Sequence, residues 1–245
     1  MLVAAAVCPC PPLLVPQVAA GAAGEMDDAR TACYDAIAVL AAARPDRLVL
    51  VGPADQAERG RHPQGAPGSF RPYGVDLDVT LGPAYATLGL ADETLGSARP
   101  LPPALAVGGW LLERTAWTAA PVEGLGVGEA LCRDRCLEAG RELAGSASRV
   151  ALLVLGDGSA CRTLKAPGYF DERALAFDTA AARALGSADP ALLGELDEEL
   201  AYDLHAAGRS SWQVLAGAAE GAGLTGRMLY EDAPYGVGYL VASWS

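Results

Sequence analysis

Lysine is almost absent from this sequence: Lys165 is the only one. Histidine is nearly as scarce, with only His62 and His205. Positive charge is otherwise carried by arginines interspersed with acids, as in "CRDRCLEAGRELA" at Cys132 to Ala144. At a net charge of −12 there is no basic stripe to follow a phosphate backbone, which argues against a nucleic-acid partner. An anionic membrane surface is disfavoured for the same reason. No apolar run approaches the roughly 18 residues that span a bilayer. The N-terminal "MLVAAAVCPCPP" has no basic flank, and its apolar run stops early at prolines, short of a secretory signal. The expectation is a cytoplasmic protein whose partner is a small molecule or another protein, homo-oligomerisation included.

Paired cysteine knuckles are also missing. Cys8 and Cys10 form C-x-C, Cys132 and Cys136 stand four apart on an expected helix, and Cys33 and Cys161 are isolated. A structural zinc centre calls for two C-x(2–4)-C pairs. Six cysteines in a cytoplasmic chain read as reduced thiols, most of them small buried hydrophobes.

What is present is a globular composition. Of 245 residues, 51% are hydrophobic and 20% charged, enough to bury a substantial core. Short apolar runs at Leu2 to Val7, Arg47 to Gly52 and Val150 to Leu155 are bounded by Pro or Gly, as buried strands are. Gly236 to Trp244 reads as a final strand. Tyr73 to Leu81 alternates in period two, which predicts an edge strand with one wet face. Helices are expected over Glu25 to Ala43, Leu101 to Trp117, Gly128 to Gly145, Glu172 to Leu185, Pro190 to Ala206 and Ser211 to Ala219. Ala57 to Arg71, rich in Gly, Pro and charge, reads as a mobile surface loop or lid. The alternation predicts one α/β domain over residues 1–245. Its central sheet should be mainly parallel or mixed, with helices on both faces. Ligands of such folds bind beyond the carboxyl ends of the strands, which selects the loops Cys8 to Pro12, Gly52 to Gln56 and Gly156 to Arg162.

These loops carry a resemblance. "CPCPPLLVP" at Cys8 to Pro16 is similar to the "PHPPLLIP" opening of the class III extradiol dioxygenase superfamily, the LigB-type ring-cleavage enzymes and their Memo-like relatives. "VLGDGSACR" at Val154 to Arg162 resembles the "SGDLSHR" segment of that superfamily, and "APGYFDERALAFD" fits the stretch just beyond it. "PYGVGYLVA" at Pro234 to Ala242 is close to its last strand, and the order and spacing agree across nearly the whole chain.

The resemblance implies a LigB-like fold and, at matched positions, a changed site. The first metal-ligand histidine becomes Cys10, the second becomes Ala54 in "VGPAD", and the catalytic histidine becomes Ala160. Where Memo-like relatives carry a cysteine ahead of the last helix, this chain offers Ser210 or Ser211. Asp157 alone of the expected polar set is retained. Two histidines and a carboxylate hold non-heme Fe(II), and imidazole is the usual acid/base near neutrality. Ordinary ring cleavage is therefore not expected.

Other residues can rebuild a site. Cys10, Asp55, Asp157 and Cys161 fall in the selected loops, with Pro53, Ala54, Ala160 and Ser211 as further pocket positions. Cys10 and Asp157 would be the ligands of any metal, with zinc preferred to Fe(II) by thiolates. Cys161 would be a nucleophile if Arg162 lowered its pKa, with Asp157 as its catalytic companion. The plainer reading makes the two cysteines fillers and Asp157 a turn cap. His62 and His205 read as solvated surface residues. Arg209 to Ser211 reads as a helix start, although a helix N-terminus beside an arginine can bind a carboxylate. Three readings stay open: a metal-free binding protein, a divergent enzyme using the rebuilt polar set, and a metal-dependent oxidoreductase with relocated ligands.

Overall fold

The computed structural model describes residues 1–83 and 99–245. Four parallel strands form the centre of the sheet: β1 (Leu2–Cys8), β2 (Arg47–Pro53), β6 (Val122–Val127) and β7 (Val150–Leu155). On one side the antiparallel β3 (Gly60–His62) joins β6. On the other, β9 (Tyr239–Trp244) runs antiparallel to β1, and β8 (Gly226–Asp232) closes that edge. The order is β3-β6-β2-β7-β1-β9-β8, a mixed seven-stranded sheet in one α/β domain. Four of the five strands expected from the sequence belong to it.

β7 is buried at every position, so its sequence "VALLVL" shows no polar alternation. The pleat still sorts residues by face. In β1, Ala4, Ala6 and Cys8 join one core cluster, whereas Ala5 and Val7 join the other. After β1 comes a single helical turn, α1 (Pro16–Ala19). Helices α2 (Asp27–Ala42) and α3 (Pro103–Arg114) cover the first face. The second is covered by α5 (Ala174–Ser187) and α8 (Arg209–Ala219), with α4 (Arg133–Gly145) packed on α8. Pro103 opens α3, where its missing N–H costs no helical bond. No helix among the described residues is long and apolar enough to cross a membrane.

Several local expectations are corrected. Tyr73 to Leu81 is not an edge strand of the main sheet. Only β5 (Asp78–Thr80) is extended, and it pairs with β4 (Pro67–Ser69) in a separate two-stranded ribbon. A 3-10 turn at Arg71–Tyr73, stopped by Gly74 at φ 81°, breaks the run before it can extend. The stretch Ala57 to Arg71 is not a free lid, because His62, Ala66 and Phe70 are buried and β3 is paired. The expected helix over Pro190 to Ala206 is two short ones, α6 (Pro190–Gly194) and α7 (Glu198–Asp203). Asp189 caps the first and Asp197 the second. β6 and β8 have no counterpart in the sequence reading.

Candidate functional site

Because β1, β2, β6 and β7 are parallel, the loops leaving their carboxyl ends meet at one edge of the sheet. A cavity of about 170 Å³ opens there. Cys10, Pro53, Ala54 and Asp55 line it, as the sequence reading placed them. Pro103 and Ala104 from the start of α3 close its apolar side, and Glu58 and Glu129 complete the wall. Neither glutamate carries a sequence signal. Glu129 follows a strand that was not foreseen, and Glu58 belongs to the stretch read as a lid.

Asp157 stands against this cavity through the main chain. Its Oδ1 accepts the Cys10 N–H at 2.8 Å. Burial raises the Asp157 carboxyl to about 7, opposed by that hydrogen bond and reinforced by Glu129. Burial also pushes the Cys10 thiol well up, with Asp157 and Glu129 adding to the effect. The Tyr239 hydroxyl is raised by burial and then by the negative field of Asp157 and Cys10. The interior of the site therefore favours neutral groups, while Asp55, Glu58 and Glu129 make the mouth acidic.

The loop carrying Asp157 is fixed from two sides. A side chain at Gly156 would place its Cβ 2.3 Å from Gly208 Cα, so the approach of α8 requires glycine. Further along, the buried Asp178 of α5 accepts the Ser159 N–H at 2.7 Å, the Ser159 hydroxyl at 2.8 Å and Arg162 Nη1 at 2.9 Å. Gly158 and Gly238 press directly on that carboxylate. Neither Asp178 nor its pairing with Ser159 was foreseen. The latch explains why Arg162 is unavailable to Cys161.

Several expected site residues lie elsewhere. Ala160 does not line the cavity; its N–H donates to Leu204 O at 2.9 Å and its carbonyl accepts from Gly168. Cys161 is buried, with Sγ 3.4 Å from Gly168 O and 3.5 Å from Leu204 O. Its pKa is raised, first by burial and then by Asp171 and Asp178. Arg162 is engaged by Asp178 and the thiol is enclosed beside two carboxylates, an arrangement that favours S–H and lends no support to an activated thiolate. Ser211 is fully buried in α8 and is not in the cavity wall. His62 is not a surface residue, being 1% exposed with Nε2 2.8 Å from Glu58 O. His205 is exposed, as expected, and lines a different depression.

The donor set does not fit the Fe(II) that the sequence resemblance implies. No imidazole lines the cavity, and one Asp157 oxygen is already engaged by Cys10 N–H. Among the described residues, no three His, Cys, Asp or Glu side chains converge on one ion position. That finding counts equally against a four-ligand zinc site built on Cys10 and Asp157.

Fold and site together define an α/β protein with a small open cavity at the carboxyl edge of a mixed sheet. No protein-family model matches the chain, and no curated protein matches it. Among solved structures, it is similar to an uncharacterized protein from Escherichia coli K12. That likeness covers 99% of this chain and 100% of the other at 14% identity, with a TM-score of 0.50. It bears on the fold alone.

Proposed function

We propose that this chain is a divergent, metal-independent relative of the class III extradiol dioxygenases that binds a small molecule in the cavity at Cys10. The observation that carries this reading is the Cys10–Asp157 hydrogen bond. It unites two of the segments that carry the motif resemblance, and it sets the retained carboxyl, raised to about 7, beside a thiol at the position of the superfamily's first metal-ligand imidazole. Ala54 in the wall removes a second donor.

The cavity's chemistry narrows the ligand. Its volume of about 170 Å³ equals the liquid share of roughly five or six waters, enough for one small ring or the end of a larger molecule. The acidic mouth selects against anions and favours a neutral or cationic group. Pro53, Ala54, Pro103 and Ala104 give its flat apolar face a surface to pack on. A ligand hydroxyl or amine can exchange a hydrogen bond with the Cys10 thiol. Asp157 holds the Cys10 main chain in place and, near pH 7, can carry or release one proton. Six free cysteines suit the reducing cytoplasm proposed as its location.

The test is a calorimetric screen of small phenols, aromatic amines and matched acids, followed by hydrogen exchange on any complex. The reading expects a neutral or cationic binder that protects residues 8–12, 53–58 and 156–162. Protection confined to other segments, or a preference for the acids, would overturn it.

A further inference from the structure

A second depression lies at the first turn of α8 and shares Glu129 with the wall of the Cys10 cavity. It encloses about 310 Å³, and its wall includes Arg209, Glu129, Tyr202, Asp203 and His205. Arg209 is 3% exposed. Its Nη1 donates to Leu131 O at 2.5 Å and to Gln213 Oε1 at 3.1 Å, and its Nη2 donates to Glu129 O at 2.5 Å. These acceptors are all uncharged. No carboxylate pairs with Arg209 among the described residues, and its Nε–H has no partner.

A guanidinium always carries its charge, and burying it without a counter-charge costs several kcal/mol. Three of its five N–H donors are used, which leaves Nε–H and one Nη2–H. A carboxylate accepts two such parallel bonds readily. The helix end adds to this. Among the described residues, neither the Ser210 nor the Ser211 N–H has an acceptor, and the first turn of an 11-residue helix is positive. Six buried side-chain atoms among the described residues lack a partner; four belong to Arg209, Ser210, Ser211 and Trp212. Successive helical side chains project about 100° apart, so one ligand cannot meet all four, and Arg209 is the recognising group.

The acids on the wall restrict the anion. Asp203 is ion-paired with Arg173 at 3.3 Å, whereas Glu129 has no ion-pair partner among the described residues. A dianion such as phosphate would meet Glu129 unfavourably. A ligand bearing one carboxylate and an ammonium would satisfy both Arg209 and Glu129.

We propose that this depression is a binding site for a small monocarboxylate, with the carboxylate on the free edge of Arg209 and a ligand ammonium turned toward Glu129. Arg209 does not line the Cys10 cavity, whereas Glu129 borders both sites.

The test uses the full chain, with acetate, glycine and phosphate titrated at constant ionic strength against a chloride background. Saturable binding of acetate and glycine is expected, with phosphate at least tenfold weaker. Arg209→Lys keeps the charge but loses the fork, and should weaken carboxylate binding tenfold or more. Glu129→Gln should weaken glycine severalfold while leaving acetate unchanged or tighter. Cys10→Ala, in the other cavity, should change neither, which separates this site's failure from that of the small-molecule reading. Should Arg209→Lys not fold, Tyr202→Ala at a 75% exposed wall position should weaken both ligands severalfold. Absence of saturable carboxylate binding to the unaltered chain overturns the proposal, as does equal binding of phosphate.

Discussion

The Cys10 N–H donates to Asp157 Oδ1 at 2.8 Å across 147 positions of sequence, tying the loop after β1 to the loop after β7. These are the loops at which the chain resembles ring-cleavage enzymes, and the bond joins them through the one polar residue that resemblance retains.

Asp157 should make stability fall as pH rises. Its folded carboxyl titrates at about 7 against an ordinary value of 3.8, so folding favours the neutral form. That contribution is complete below about pH 4 and is lost as pH rises through 7. At 1.36 kcal/mol per unit, discounted for partial exposure, the loss is roughly 2–4 kcal/mol. Asp157→Asn keeps an acceptor for Cys10 N–H and cannot ionise, so its urea midpoint should vary less between pH 4 and 8. Parallel pH profiles for the two proteins would refute the assignment.

Asp178 should matter more for folding than any residue of the cavity wall. Its removal leaves the Ser159 N–H and hydroxyl without an acceptor and Arg162 without its counter-charge. Asp178→Ala should cost about 3–5 kcal/mol, read from denaturant unfolding. A loss under about 1 kcal/mol would show that the latch is dispensable.

Three of the four central strands, β1, β2 and β7, were legible because burial on both faces writes itself as an unbroken apolar run. β6 was not, because "VEGLGV" carries two glycines that weaken its strand signal. The reason for one is tertiary: a side chain at Gly124 would meet Leu105 and Leu81 at 3.0 Å. His62 was misjudged for a related reason. Its burial follows from pairing with Gly124, a partner far along the chain, while its own neighbours are charged and Gly-rich. Motif order placed Cys10, Pro53, Ala54 and Asp55 together, but spacing alone could not reveal that Ala160 and Cys161 turn toward Leu204. Glu58 and Glu129 enter the site only through the path of the chain.

Thiol reactivity should separate one cysteine from the rest. Cys132 is exposed, whereas Cys8, Cys10, Cys33, Cys136 and Cys161 are buried. Burial pushes Cys136 up to about 11, and a hydrogen bond with Cys33 is the largest influence raising Cys8. A disulfide reagent at pH 8 should therefore titrate one thiol quickly in the native protein and six in denaturant. Fast labelling that survives Cys132→Ser would contradict this, and labelling at Cys161 would revive the nucleophile reading.

The most direct measurement is anaerobic reconstitution of untagged protein with Fe(II), followed by metal analysis and a catechol assay in air. The donor set around Cys10 and Asp157 leads us to expect no stoichiometric iron after desalting and no yellow ring-opened product. One iron per chain together with catechol cleavage would contradict the metal-independent reading outright, and would mean that donors now held apart come together around the ion.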